Sequence, residues 1–137
     1  MRTSVRKKMV TSTKIKTLYI AGAITPYPSE HPVFGFLCNI KRGQRAAVEA
    51  LLAGFYPFCP FLDFQFWFQL HNGENITEKM IKGLSMEWLR RSDGVLVLPK
   101  WRKSQGTKDE IAEAKKLDIP VFYNLEDVID YNEGQNV

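Results

Sequence analysis

The chain has 137 residues, 45% of them hydrophobic and 25% charged, which suits one water-soluble domain with a core of its own and excludes a disulfide- or metal-stapled miniature. Its formal charge of +4 is unevenly placed: Arg2, Arg6, Lys7, Lys8, Lys14 and Lys16 precede residue 17 with no acid among them, and the remainder holds 13 basic against 15 acidic residues. The excess therefore belongs to residues 1–16, read as a disordered basic tail with Met9 as an alternative start, and argues against nucleic-acid binding by the fold itself.

No apolar run approaches the roughly 20 residues that span a bilayer, and the first residues lack the apolar stretch of a signal peptide, so a cytoplasmic protein without membrane contact is expected. Cys38 and Cys59 lack CxxC spacing and sit among apolar residues, as packed thiols would. His31 and His71 have no metal-ligand spacing around them, and no metal is expected.

In chain order, residues 17–22 form an apolar run rich in strand formers and closed by Gly22, a first buried strand. Residues 23–32 carry three prolines and read as loop. A helical pattern covers residues 36–53, with Ile40, Ala47, Val48, Leu51 and Leu52 on one side and Gly54 as its stop. A second strand is expected over 55–60. Residues 61–74 are crowded with aromatics, and the alternation of Phe64, Phe66 and Phe68 allows either a strand or an irregular lid. A helix over 77–91, a strand over 94–99, a helix over 107–117 and a strand over 120–123 follow, then a short acidic segment.

Nearly all-apolar strands alternating with helices predict a parallel sheet of four to five strands covered on both faces: an α/β, doubly wound (flavodoxin/Rossmann-like) domain over residues 17–137. Ligands of such sheets bind beyond the carboxyl ends of the strands, where the strand order reverses. That points to the segments after Ile20, after Pro60 and after Leu98.

The third of these segments runs from Pro99 to Glu110. A strand end, a Ser/Gly/Thr turn and a helix start present free backbone N–H groups and a positive dipole end, suited to phosphate or carboxylate, with Lys100, Arg102 and Lys103 adding charge. Thr107-x-x-Glu110 also fits a capping box, so spacing alone leaves Glu110 open between a helix cap and a carboxylate facing the ligand crevice.

Ser104-x-Gly106-x-x-x-Glu110-Ile111-x-x-Ala114 resembles the nucleophile motif of the nucleoside 2-deoxyribosyltransferase-like family, which includes base-exchanging transferases and hydrolases of nucleoside 5′-monophosphates. Tyr19-x-x-Gly22-Ala23-Ile24 is similar to the first-strand motif of the hydrolase branch. The passage from Glu87 to Asp93 into the third strand resembles the one that precedes the nucleophile, and Pro99-x-Trp101 before Ser104 matches phage-borne members. Together these cover residues 17–124.

The resemblance implies that Glu110 stabilises or traps the oxocarbenium-like C1′ formed when an N-glycosidic bond breaks, and that Tyr19 orients it. It also implies that Gly22, Ala23 and Ile24, with Ser104, Gly106 and Thr107, bind the sugar and its phosphate. Ser104 stands where transferases of free nucleosides carry Asp and monophosphate hydrolases carry Ser, which favours a phosphorylated substrate. No cofactor is implied, and a homo-oligomer is, with residues 64–68 suited to the contact.

Two departures stand out. Thr25-Pro26-Tyr27 follows Ile24 where the hydrolase branch has an arginine and glycines, and Ser85 occupies the place of a substrate-positioning Asp. Asp63, just past the second strand, is either a substitute carboxylate or a loop cap. Phe64, Phe66 and Trp67 are either base-stacking or packing residues. Asn39 and Trp101 border the expected pocket, and Asp93, before its strand, is expected to be structural. The readings that compete with a glycosidase are base exchange, a phosphoribohydrolase resembling the cytokinin-activating enzymes through Gly106-Thr107-x-x-Glu110, a non-catalytic nucleotide-binding protein, and a nucleic-acid-binding protein acting through the tail of residues 1–16.

Overall fold

The structure is a computed structural model that describes residues 14–135. All of the expected tail but its last three residues lies outside that range. Strands β1 (Thr17–Ala21), β2 (Tyr56–Phe58), β3 (Gly94–Val97) and β4 (Val121–Phe122) form one parallel sheet in the order β2-β1-β3-β4. The helices are α1 (Pro32–Leu52), α2 (Glu78–Arg90), α3 (Gln105–Lys116) and α4 (Leu125–Gly134), with a 3-10 helix at Pro60–Gln69.

The sheet is apolar on both faces because its residues alternate sides with period two. Leu18, Ile20, Leu96 and Leu98 pack against Ile40 and Ala50 of α1, Phe61 of the 3-10 helix and Val128 of α4. Tyr19, Ala21, Val95 and Val97 pack against Leu89 of α2 and Ile111 and Ala114 of α3. The domain is thus doubly wound, with β1 and β3 as its central strands. The chain leaves β1 toward β2 and returns past it to β3, so the order reverses between β1 and β3. The crevice that such sheets offer to ligands lies there.

Several elements depart from the sequence reading. The first helix begins at Pro32, not residue 36: proline is preorganised for the first helical position, and His31 Nδ1 caps it by accepting from Val33 and Phe34 N–H at 3.2 Å. Of the expected apolar side only Ile40 is buried, while Val48, Leu51 and Leu52 are exposed. The buried face is built instead from Asn39, Ile40, Gly43 and Ala50, mostly small residues that let the helix lie close. Cys38 is likewise exposed rather than packed, whereas Cys59 is partly buried against the core.

Residues 60–69 are neither strand nor lid but 3-10 helix, with Pro60 in its first turn. Phe61 and Phe64, three residues apart, turn to the same core as neighbours on such a helix do. The second strand is cut back to Tyr56–Phe58 in consequence. The acidic C-terminal segment is helical: Asn124 Oδ1 caps it by accepting from Asp127 N–H at 2.9 Å, and Glu126 and Asp127 sit at its positive end.

Asp93 is structural, as expected. Its carboxylate accepts from Lys16 and Thr17 N–H at 2.9 and 3.0 Å and its own N–H donates to Thr17 Oγ1, which stitches β1 to the start of β3.

Gly43 shows how close α1 comes. A Cβ there would collide with the Phe61 ring, and Phe61 is fully buried. Alanine normally stabilises a helix by about 1 kcal/mol over glycine. Here overpacking should outweigh that gain, and Gly43→Ala is expected to lower stability by about 1–3 kcal/mol in denaturant melts.

Candidate functional site

Tyr19 lies in the middle of β1 with its side chain wholly buried. Phe58 stacks on its ring at 5.8 Å between centroids, and Trp88 stacks on Phe58 at 5.6 Å. This packing satisfies the ring and leaves the hydroxyl in need of a partner. The partner is Glu110: the phenol donates to Oε2 at 2.5 Å, the length of a charge-assisted bond.

Glu110 reaches that point because of where α3 starts. The helix is capped by Ser104, whose Oγ accepts from Thr107 N–H at 3.2 Å and from the Thr107 hydroxyl at 2.9 Å. The capping box that the sequence allowed from Thr107 to Glu110 does not form, because Ser104 has taken the cap and Thr107 lies buried inside the first turn. Thr107, Glu110, Ile111 and Ala114 then share one side of α3 at helical spacing, and the other three are buried against the sheet. Glu110 is a carboxylate set in an apolar stripe.

The surroundings hold that carboxylate near its ionisation point. Burial pushes the Glu110 value up from 4.5 to about 7; the Tyr19 hydrogen bond opposes the rise, Asp109 adds to it and Lys82 opposes it. Lys82 of α2 bonds Asp109 at 2.7 Å, and Gln105 holds the other Asp109 oxygen at 2.8 Å. Tyr19 is driven far above the usual phenol range, by burial first and by the Glu110 charge second, so it stays a neutral donor. Ser85, buried on α2, works against that rise.

Asp63 stands on the other side of β1, in the 3-10 helix after β2. Its Oδ2 is buried and has no hydrogen-bond partner among the described residues. Leaving such an oxygen unmet costs on the order of 1–3 kcal/mol. Burial raises the Asp63 value and favours the neutral acid. Its charge, when present, is felt by both Tyr19 and Cys59. Asp63 lies in the first turn of that helix, whose N-cap residue, Cys59, makes no side-chain capping bond.

The loops after β1 and β3 close over the same end of the sheet. A Cβ on Gly22 would lie 3.0 Å from Leu98 Cδ1, so the glycine lets the two strand ends converge. Asn39, buried on α1, donates to the Ile24 carbonyl at 2.9 Å and accepts from Arg42 at 2.7 Å, fixing the first loop from below. Tyr27 donates to the Lys100 carbonyl at 3.2 Å, and Lys103 Nζ lies 5.3 Å above its ring. Trp101 packs on the α2–α3 side of the core, with Tyr123 at 5.7 Å and Arg102 over its ring at 5.1 Å. Gly106 is exposed at the head of α3, and a Cβ there would meet open space.

Of the aromatic segment, Phe64 packs edge-on to Phe36 and Phe68, whereas Phe66, Trp67 and Phe68 are exposed. Sequence reasoning missed Tyr27, Lys82 and Asp109. The last two pair across 27 residues, and no local pattern announces such a pair. A hollow of about 260 Å³ between Lys16, Gly54 and Asn132 lies at the opposite, amino-terminal end of the strands, away from these groups. Among the described residues no cluster of three or more His, Cys, Asp or Glu is placed to hold a metal, and no helix is long and apolar enough to cross a membrane.

The chain belongs to the DUF4406 family, a domain of unknown function whose pattern matches residues 16–123. That span takes in all four strands and every side chain of the site described above. No curated protein and no solved structure matches the chain.

The pH dependence of stability provides a test of the Glu110 environment. A carboxyl whose value is raised by folding contributes fully below pH 4.5 and loses that contribution as pH climbs to about 7. Glu110→Gln cannot ionise and escapes the loss. It is expected to exceed wild type in stability above pH 7 by on the order of 2 kcal/mol, with the margin vanishing toward pH 4.5. Melting curves of both proteins across this range check it, and a margin indifferent to pH would count against the buried-carboxylate account.

Proposed function

We propose that this DUF4406 domain cleaves the N-glycosidic bond of a (deoxy)nucleoside 5′-monophosphate, with Glu110 as the group that meets C1′. The observation that carries the reading is the Tyr19–Glu110 pair: a carboxylate held by a buried phenol at the switch point of a parallel sheet. Breaking the bond from C1′ to the base leaves positive charge on the sugar, and a carboxylate freed from water at that spot stabilises it or bonds to it. Tyr19 is the positioning residue. Its hydrogen bond fixes one oxygen of Glu110 and favours the ionised form that the chemistry needs.

The phosphate end is assigned to the head of α3. Ser104 accepts two hydrogen bonds there and keeps its own proton to donate, while the amides beside Gly106 and the nearby Lys100, Arg102 and Lys103 supply positive potential. Gly22, Ala23 and Ile24, steadied by Asn39, form the facing wall. The resemblance to the nucleoside 2-deoxyribosyltransferase-like family supports this assignment, and the second reading within that family is base exchange. The exposed Phe66, Trp67 and Phe68 suit a contact between copies of the chain. A nucleotide substrate and unpaired thiols fit a cytoplasmic setting.

Incubation with nucleosides and their 5′-monophosphates, with and without an acceptor base, followed by chromatography for free base, tests the reading. Base release is expected without acceptor, and Glu110→Gln is expected to lower it by at least about 10³-fold. Product formed only with acceptor would make the protein a transferase; no turnover of any substrate by wild type would remove the proposal.

Two further variants test the details. Tyr19→Phe removes the hydrogen bond that holds the Glu110 value down, so the acid limb of the rate profile is expected to move upward from about pH 7. Ser104→Asp preserves a good cap, so the fold should survive, yet it sets a negative charge against phosphate. Monophosphates are expected to lose about tenfold or more in kcat/KM while free nucleosides change little.

A further inference from the structure

Glu110 follows another carboxylate on α3, Asp109, and neighbouring carboxylates oppose each other's ionisation. Asp109 is held from two sides: Lys82 Nζ of α2 donates to Oδ2 at 2.7 Å, and Gln105 Nε2 donates to Oδ1 at 2.8 Å. These bonds, that from Lys82 first, hold Asp109 below the usual carboxylate range, and the bond to Asp109 holds Lys82 above the usual amine range. Both groups therefore keep their charges through neutral pH. Of the three, Glu110 is left to vary. Burial is the main reason that its value rises; Tyr19 from β1 opposes the rise, Asp109 from α3 itself adds to it, and Lys82 from α2 opposes it. Those are the titratable groups that act on Glu110 among the described residues.

Lys82 is placed for this by its helix. It stands three and seven residues before Ser85 and Leu89, the buried residues of α2, so helical spacing puts it on their side. Further along the same two helices Arg90 bonds Glu113 at 2.8 Å. As clamps the two bridges are alike, and exposed ion pairs stabilise a fold little. They differ in what they adjoin. Asp109 is next to Glu110, whereas Glu113 is not among the charges that act on it.

We propose that Lys82 is a positioning residue for the reaction: by neutralising Asp109 it keeps Glu110 an anion ready to meet C1′. The inference rests on the glycosidase reading above. Positive charge develops at C1′ as the bond to the base breaks, and the ionised carboxylate is the form that stabilises or traps it. With Lys82 gone, Asp109 stands uncompensated beside Glu110, which then holds its proton to higher pH.

Two variants disturb the same 2.7 Å bridge yet push Glu110 in opposite directions. Lys82→Met removes the compensating cation, and Asp109→Asn removes the repelling anion. One readout needs no substrate: the stability margin of Glu110→Gln over its parent, measured in each background. In wild type that margin is expected to level off at about pH 7, and a higher Glu110 value moves the levelling point to higher pH. The point is expected to rise by about half a pH unit or more in Lys82→Met, to fall in Asp109→Asn, and to stay in place in Lys82→Arg and Arg90→Met. The acid limb of kcat/KM on nucleoside 5′-monophosphates is expected to follow, so that Lys82→Met is slow at neutral pH and recovers in alkaline buffer. Shifts of one direction in Lys82→Met and Asp109→Asn, an equal shift in Arg90→Met, or no shift would reduce Lys82 to a clamp and overturn the proposal. An acid limb that stays put while the levelling point moves would do the same. Should Lys82→Met not fold, Asp109→Asn decides, and a levelling point that does not fall counts against the role. If wild type turns over no nucleotide, the glycosidase reading fails whatever the margins show, and the part of Lys82 in a reaction fails with it.

Discussion

The hydrogen bond from Tyr19 to Glu110 ties a central strand of the sheet to the second turn of α3, and most of the site is arranged around it. The phenol cannot seek water, because Phe58 and the α2–α3 face enclose its ring. Glu110 cannot leave easily, because Thr107, Ile111 and Ala114 seat its helix on the sheet. Ser104 decides where that helix begins, and so decides which side chain meets the phenol. The Lys82–Asp109 and Arg90–Glu113 ion pairs clamp α2 to α3 at 2.7 and 2.8 Å. These pairs are largely exposed and add little stability on their own. Their value is that they keep the wall carrying Ser85 beside the helix carrying Glu110.

Such an arrangement sets stability against chemistry. A carboxylate in an apolar stripe and a second carboxyl with an unmet oxygen both oppose folding, and both follow the carboxyl ends of strands, the end at which sheets of this type offer their crevice. The opposition is met by the sheet interior, where β1 and β3 present fully buried residues to both layers of helices. Proteins commonly tolerate local cost of this kind where function needs it. The same molecule spends no such cost at its other end, where Asp93 has its hydrogen bonds satisfied by the backbone.

The parts of this design that were legible in the sequence are those with a short-range signature. Residues 94–97 are uniformly apolar and could only be a buried strand, and strand–helix alternation led to the parallel sheet. Tyr19 and Glu110 were legible as candidates, and their pairing was legible through the resemblance alone, since no local spacing links residues 91 apart. Thr107-x-x-Glu110 satisfies the capping pattern as well as Ser104 and its turn do, and the competition is settled by tertiary packing of Thr107. The aromatic run failed for a related reason: spacing at 64, 66 and 68 suits a strand, but Pro60 and the pull of Phe61 and Phe64 toward one core made a 3-10 helix. On α1 the apolar residues misled, because Gly43 and Ala50 share the buried face with Ile40 while Val48, Leu51 and Leu52 face out. Asp63 was visible only as a position near a strand end; its missing partner is a fact of three dimensions.

Ile15 and Asn132 exchange two hydrogen bonds, Ile15 N–H to Asn132 Oδ1 at 2.7 Å and Asn132 Nδ2 to the Ile15 carbonyl at 2.9 Å. The entry to β1 and the last helix are thereby fastened side by side at the amino-terminal edge of the sheet. The polypeptide enters and leaves the domain at one spot, on the pole opposite Glu110. Fusions made at either end therefore project away from the crevice, and a short linker joining the two ends would let the chain be reopened in a surface loop such as the one around Gly73 without disturbing the strand order.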